Sequence, residues 1–370
     1  MTLLADDATV IERIFQHIDH DTTDESDRVW REPVENYRSP TRFAAELRLL
    51  RRHPTPFCPS AAIPDAGSYL ARDAAGTPVL AVRGKDGRIR AFRNACRHRG
   101  TKIVDGVGCA KVLECRYHGW TYDLDGTLRY VPDADGFPGL DRATRGLVPV
   151  DAAEHRGLVF VTQDEPRIDA RLDELPPLLS GEYRLLSVSE IEIPVNWKVF
   201  VEGFLEGYHI RSTHPQTFYP VQYDNVNVVE RFGRNNRIAF PYRAIEKLRG
   251  TAPAERRVEA KLTYVYHLFP NAIVATFPAM TIFAVVEPVA IDRSRFRTWR
   301  FTDRPDADIT SRARIDRGSS FVDAGAAEDR DVACGVQQGL ASGANEFLEF
   351  GRFEGAIVHF HETLHALLDS

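Results

Sequence analysis

The sequence predicts an α+β protein of two domains behind a short helical arm. Three observations predict it. From about Pro54 to residue 165, short apolar runs alternate with turn signals, the texture of an all-β domain. Beyond residue 180, longer strand-like runs follow one another. Helical spacing is confined to the segments flanking those strands, which suits helices held to one side of an antiparallel sheet. The expected boundaries are 1–45 for the arm, 46–165 for the all-β domain and 166–370 for the larger domain. A chain of 370 residues with 43% hydrophobic content is long enough for two cores.

In chain order, Val10, Ile14, Phe15 and Ile18 share one helical face, and a polar, acidic stretch follows from His20 to Asp27. Ala44–Arg51 reads as a second short helix. Pro78–Arg83 and Arg88–Phe92 flank Lys85-Asp86-Gly87, a hairpin turn, and Asp125-Gly126 signals another. Pro166–Leu179, rich in Pro, Asp and Leu, reads as a linker. Strands are expected at Leu185–Ile193, Val226–Glu230, Arg237–Ala239, Thr263–Phe269, Ala272–Thr276, Thr281–Val286 and Arg295–Thr302. Helices are expected at about 196–211, 326–340 and 353–368.

The all-β segment carries the first chemical motif. Cys96-Arg97-His98 is followed, after sixteen residues, by Cys115-Arg116-Tyr117-His118. Two thiolates and two imidazoles, arranged as two mixed arms, form the donor set of a [2Fe–2S] cluster of the Rieske kind. Zinc also takes Cys₂His₂, yet its usual order groups the cysteines first and the histidines second. Gly100, Gly108 and Gly119 suit loops wound tightly enough to need positive φ.

The second motif lies in Asn196–Pro215. Glu206 and His209, three apart, share a helix face. Pro215 biases His214 out of the helical region, so the helix should end before it and let His214 return toward His209. Two histidines and one carboxylate make the facial triad of non-haem Fe(II) oxygenases. The third ligand must come from elsewhere in the chain. Asp329 is placed by helical spacing on a face with Val332, Ala333 and Val336, where an acid needs a partner or a metal. Asp331 and Glu328 are its neighbouring alternatives.

Asn94–Gly100 (NACRHRG) and Cys115–Trp120 (CRYHGW) resemble the cluster domain of the Rieske non-haem iron oxygenases, the aromatic-ring-hydroxylating dioxygenase alpha-subunit family. Thr101 and Tyr117 stand where the Rieske proteins of respiratory complexes carry a disulfide, which favours the oxygenase type. The resemblance extends to Asn196-Trp197-Lys198 and to Glu206-x-Tyr208-His209-x₄-His214. It extends also to Glu328–Gly339, which is similar to a late helix where an acid precedes a Gln by eight residues; Gln337 then selects Asp329.

The resemblance implies a Rieske cluster on Cys96, His98, Cys115 and His118, and a mononuclear Fe(II) on His209, His214 and Asp329. It implies a helix-grip, START-like catalytic domain. It implies a terminal oxygenase that hydroxylates, dihydroxylates or demethylates a small organic substrate with O₂ and electrons from NAD(P)H. A separate ferredoxin or flavin reductase, or both, would supply them. It implies a head-to-tail homotrimer in which a carboxylate, here Glu206, links a cluster histidine of one subunit, here His118, to an iron histidine of the next, here His209. The family usually has Asp in the slot of Glu206; oxygenases of quaternary ammonium compounds are among those with Glu. Gly203 stands where many members have Asn.

A net charge of −6 and the lack of a basic, aromatic-interleaved run argue against nucleic-acid binding. No apolar run reaches membrane-spanning length, and the N-terminus has no signal-peptide pattern. Cys58, Cys109 and Cys334 are scattered and odd in number, as in reduced, cytoplasmic proteins. No G-x-G-x-x-G fingerprint is present, so the reductase is expected to be another chain. Competing readings are a stand-alone electron carrier and, through His361-Glu362-Thr363-Leu364-His365, an H-E-x-x-H zinc hydrolase. The stripe Phe353, Ile357, Phe360, Leu364 and Leu367 makes that segment a packing helix. Arg97, Arg99 and Arg116 read as a donor-docking patch or as solvated charge, and Tyr117 and Trp120 as core aromatics. His155, His267 and His359 read as satisfied structural histidines, and Tyr219, Tyr223, Phe277 and Phe283 as possible pocket walls.

Overall fold

The computed structural model describes residues 4–164, 170–179, 183–303 and 309–369. The chain forms two compact units, one of Met1–Glu46 with Glu182–Ser370 and the other of Leu47–Gly181. Most of the expected linker, residues 170–179, is described and opens with a 3-10 helix at Ala170–Glu174; residues 166–169 lie outside the described residues.

Helix α1 (Asp7–His20) starts where the Asp6 carboxylate accepts from Thr9 N at 2.8 Å, and stops at Asp21, whose φ of 53° is left-handed. Its buried face, Val10, Ile11, Ile14 and Phe15, packs on Val228, Ala239, Ile245, Leu262 and Tyr264. The residues read as an arm thus belong to the core of the larger unit. Strand β1 (Trp30–Pro33), α2 (Glu35–Arg38) and α3 (Pro40–Arg52) follow. Pro40 opens α3 four residues before the expected start, where the missing N–H costs nothing.

In the smaller unit the strands are β2 (Thr55–Pro59), β3 (Ser68–Ala74), β4 (Thr77–Arg83), β5 (Ile89–Arg93), β6 (Gly106–Cys109), β7 (Leu113–Glu114), β8 (Thr121–Tyr122), β9 (Leu128–Tyr130), β10 (Pro149–His155) and β11 (Leu158–Thr162). They form an antiparallel sheet in the order β2-β11-β10-β5-β4-β3-β6 and a small sheet β7-β8-β9. This is the expected all-β texture. The loops after β5 and β7 carry the Cys–His motifs.

The larger unit continues with β12 (Arg184–Ile193), α4 (Trp197–Glu202), α5 (Ile210–Thr213), β13 (Val228–Phe232), β14 (Asn235–Pro241), β15 (Leu262–Leu268), β16 (Ala272–Phe277), β17 (Met280–Ala290) and β18 (Arg293–Thr302). Helix α6 (Ile309–Ala341), β19 (Phe347–Phe350) and α7 (Gly355–Leu368) complete it. The sheet is fully antiparallel, in the order β12-β18-β17-β16-β15-β14-β13. β1 pairs antiparallel with β19, from Trp30 opposite Phe350 to Pro33 opposite Phe347. The α+β class and the antiparallel catalytic sheet are as the sequence predicts.

Three expectations need correction. The helix expected over 196–211 is two short helices, α4 and α5, joined by a turn. Gly203 and Gly207 lie in it; a Cβ on Gly207 would meet Asn227 Oδ1 at 2.6 Å. The helix expected over 326–340 is the second half of a 33-residue helix. Strand β19 was not expected. α4 is held by a fully buried charge pair: Lys198 Nζ donates to both Glu46 oxygens at 2.7 and 2.9 Å, and Trp197 Nε1 donates to Oε2 at 2.9 Å. Burial lowers the Lys198 pKa and the paired carboxylate opposes that shift. Among the described residues no helix is long and apolar enough to cross a membrane.

Candidate metal centres

The two Cys–His loops fold alike. Cys96 N donates to Thr101 O and Cys115 N to Trp120 O, each at 2.8 Å; Gly100 N returns to Cys96 O and Gly119 N to Cys115 O, each at 2.9 Å. Gly100 and Gly119 close them at φ of 78° and 72°, as the sequence led us to expect. Gly108 does not. It sits in β6, where a Cβ would strike the Tyr69 ring, so close approach rather than φ explains it.

Both cysteines are buried while His118 is exposed. The imidazoles of His98 and His118 face each other at 4.6 Å between centroids, and His98 stacks on Trp120 at 4.9 Å. His98 Nδ1 is buried without a hydrogen-bond partner, the condition of a nitrogen awaiting a metal. Burial and the facing His118 hold His98 below the ordinary imidazole pKa, which favours the neutral ligand form. Burial pushes the Cys115 thiol up, with Cys96 adding to it. These four donors fit a [2Fe–2S] cluster. Two residues outside the motif brace the loops. Asn94 Oδ1 accepts from Ile103 N at 2.9 Å; Tyr122 Oη accepts from Arg97 N at 2.9 Å and lies 3.3 Å from Cys96 Sγ. Asn94 stands inside the NACRHRG string; nothing in the sequence marked Tyr122. Trp120 is core, but Tyr117 is 51% exposed and does not belong to it.

The second centre brings together the residues named from the sequence. His214 caps the C-terminus of α5, so the helix ends just before it as expected. His214 Nε2 lies 2.9 Å and His209 Nε2 3.6 Å from Asp329 Oδ1. The three donor atoms lie within 4.8 Å of one another. Each ring turns its other nitrogen to a carboxylate: His209 Nδ1 pairs with Glu206 Oε1, and His214 Nδ1 with Glu328 Oε2 at 2.7 Å. Such partners fix tautomer and orientation and leave the Nε2 lone pairs free for a metal. Glu328, one alternative third ligand, instead meets the far nitrogen of His214 and accepts from Thr217 Oγ1 at 2.5 Å, and Asp331 is exposed. Burial opposes charge on His209, but Glu206 and Asp329 outweigh it and raise its pKa.

Glu206 reaches His209 from the turn instead of from a helix face. Its Oε2 accepts from Tyr208 N at 2.5 Å and His209 N at 3.1 Å, closing the turn that leads into α5. Asp329 is fixed through α6: Gln337 Oε1 accepts from Asn196 N at 2.8 Å at the start of α4. Val332 and Val336, expected on a core face, are 48% and 37% exposed. They border an opening shared with Glu206, His209 and Glu354.

His209, His214 and Asp329 border a cavity of about 950 Å³, its open mouth included. Phe200, Phe204, Phe218, Phe240, Phe277 and Phe296 wall it, with Ile210, Val265, Ile273 and Ile282 between them. Glu206, Gln222, Thr263, Thr298 and Arg300 are its other polar contributors. Of the aromatics singled out, Phe277 is a wall; Phe283 is fully buried against Trp299, and Tyr219 and Tyr223 lie outside the lining.

The H-E-x-x-H segment is on α7 as expected, and Glu362 is ion-paired with Arg28, so it faces away from the histidines as a base could not. His267 and His359 are satisfied structural histidines; His155 Nε2 has no hydrogen-bond partner among the described residues.

This chain belongs to the ring hydroxylating alpha subunit family, whose catalytic domain matches residues 181–370, and it carries a Rieske [2Fe-2S] domain over residues 53–143. Mononuclear iron accompanies that catalytic domain in the family. The carnitine monooxygenase oxygenase subunit of Acinetobacter pittii is 36% identical over 166 residues, covering 42% of this chain and 44% of that protein. The glycine betaine monooxygenase oxygenase subunit of Chromohalobacter salexigens is 34% identical over 204 residues, covering 53% and 46%. The chain spans about half the length of the curated relatives it matches. A quaternary ammonium Rieske monooxygenase bound to L-carnitine superposes with a TM-score of 0.77 at 21% identity over 99% of each chain. Naphthalene 1,2-dioxygenase with indole bound gives 0.77 at 18% over 92% of each. These two share the fold.

Proposed function

We propose that this protein is the terminal oxygenase of a multicomponent Rieske system in the cytoplasm. It would take electrons from NAD(P)H through a separate reductase, with or without a ferredoxin, and oxidise an aromatic compound or a quaternary amine. The observation that carries this reading is the convergence of His209 Nε2, His214 Nε2 and Asp329 Oδ1 at the wall of an apolar cavity, in a chain with a Rieske domain.

Cys96, His98, Cys115 and His118 would hold the cluster, and His209, His214 and Asp329 the mononuclear iron. When bound, the cluster supplies single electrons and the iron activates O₂. The chain's own residues set the conditions. Glu206 and Glu328 hold the two Nδ1 protons, so each imidazole presents a neutral Nε2. The phenylalanine walls would exclude water and orient the substrate; their faces can take an aromatic ring edge or an N-methyl cation. Glu206 Oε1 keeps a lone pair beyond its bond to His209, free for an exposed imidazole such as His118 of the neighbouring subunit in a head-to-tail trimer. Relatives acting on carnitine and glycine betaine, together with Glu at position 206, support the quaternary-amine branch.

The test is Asp329→Ala, read by iron analysis and Rieske absorbance. The expected product loses one iron and all turnover and keeps the cluster spectrum. An Asp329→Ala protein with full iron and full activity would remove Asp329 from the centre.

A further inference from the structure

We propose that Glu32, His361 and His365 form a second mononuclear metal site, one that takes Zn²⁺ and clips β1 to α7. His361 and His365 are one helical turn apart on α7, so both rings leave the same face. His361 is fully buried. Its Nε2 lies 2.9 Å from Glu202 Oε1, which also accepts from Tyr37 Oη at 2.7 Å. That carboxylate places the ring proton on Nε2 and leaves the lone pair on Nδ1. Nδ1 is buried, makes no hydrogen bond, and points at Glu32 Oε2 from 3.5 Å. A buried imidazole nitrogen with its lone pair outward and a carboxylate behind the ring is the arrangement of a metal-bound histidine.

The other two donors complete the set. His365 Nε2 lies 2.9 and 3.0 Å from the two Glu32 oxygens. All three donors fall within 4.8 Å of one another. Tetrahedral zinc with bonds of about 2.0–2.1 Å asks for donors roughly 3.3 Å apart. Glu32 is fully buried, with two lone pairs taken by Trp30 Nε1 at 2.9 Å and Asn36 Nδ2 at 2.7 Å; the remaining two face the imidazoles. The His365 side chain is 28% exposed, which leaves an entry and a fourth position for water. Two imidazoles and a carboxylate suit zinc. The motif's own acid, Glu362, is held by Arg28, so the site lacks a base and serves as a clip.

The experiment uses the whole protein with both iron centres loaded, dialysed against micromolar Zn²⁺ and then free of excess. Metal analysis and zinc X-ray absorption should find one zinc per chain on two imidazoles and oxygen, with unchanged iron and a raised unfolding temperature. His365→Gln should abolish that zinc and the temperature shift while keeping iron. Glu202→Gln should weaken zinc binding about 10–100-fold by removing the carboxylate behind His361. His209→Ala should keep the zinc. Wild-type protein that binds no zinc overturns the proposal, as does zinc lost in His209→Ala or retained in His365→Gln. Should His365→Gln not fold, the X-ray absorption of wild-type protein decides: zinc without two imidazoles overturns the site.

Discussion

At the scale of single residues, one amide bridges two histidines and is compatible with only the neutral form of one of them. Asn236 Nδ2 faces His267 Nδ1 at 3.4 Å, and its Oδ1 accepts from His359 Nδ1 at 2.8 Å. His267 Nε2 donates to Pro270 O at 3.1 Å. A proton on His267 Nδ1 would face a donor, so the arrangement holds only while that ring is neutral. Burial drives both imidazoles from 6.5 down to about 4. Because the folded values lie below the unfolded one, this stability is complete above pH 6.5 and is lost as pH falls toward 4. Each group should cost roughly 2 kcal/mol between pH 7 and pH 5. Urea midpoints at the two pH values should show the loss, and His359→Gln should remove about half of it. At the iron centre, Glu206→Gln should keep both metals and a reducible cluster yet lose most product formation; unchanged turnover would exclude Glu206 from electron transfer. At the proposed cluster site, His98→Cys would exchange a neutral ligand for an anionic one and should lower the reduction potential, read by redox titration.

At the scale of elements, α6 carries the site and was half invisible in the sequence. Its second half announced itself through Asp329 and Gln337, eight residues apart. Its first half has Gly318, Ser319, Ser320 and Gly325, poor helix formers with no continuous apolar stripe. Gly325 is there for packing: a Cβ would meet the Phe218 ring at 2.4 Å, and that ring lies 4.7 Å from His214. Gly325→Leu should therefore push Phe218 onto His214 and cut iron retention several-fold, measured after gel filtration, with the cluster spectrum intact. The seven strands of the larger sheet, and β4 and β5 of the smaller unit, were legible because turn residues punctuate them. The turn between α4 and α5 was not. Glu206 and His209 meet equally well on a helix face or across a hydrogen-bonded turn, and spacing alone cannot tell the two apart. The cavity was illegible for another reason: its walls come from helices and strands scattered over more than a hundred residues.

At the scale of the whole molecule, the larger unit is tied together by segments far apart in the chain. β1 pairs with β19, and Glu32 on β1 meets His365 on α7. Deleting residues 4–34 should unpair β19, bare the α1-facing side of the sheet and yield insoluble protein, scored by the soluble fraction on expression. The proposed trimer makes a separate prediction. A subunit carrying His118→Ala lacks the cluster donor and one carrying His209→Ala lacks the iron. Each alone should be inactive, and co-expressed in one assembly they should recover a fraction of turnover, because the intact cluster of one sits beside the intact iron of the next. Mixed assemblies with no activity would place electron transfer within a single chain.

The bond between Gln337 and Asn196 has a consequence for how this helix can evolve. Gln337 lies eight residues beyond Asp329, about 12 Å along the axis, and it sets the rotational phase of α6 where α4 begins. Each residue added between them turns Asp329 by about 100° around the helix. One inserted residue would swing Asp329 off the histidines, and Glu328 off His214 with it, while leaving His209, His214 and Glu206 in place. In this stretch, tolerance to a change in length is governed by angle.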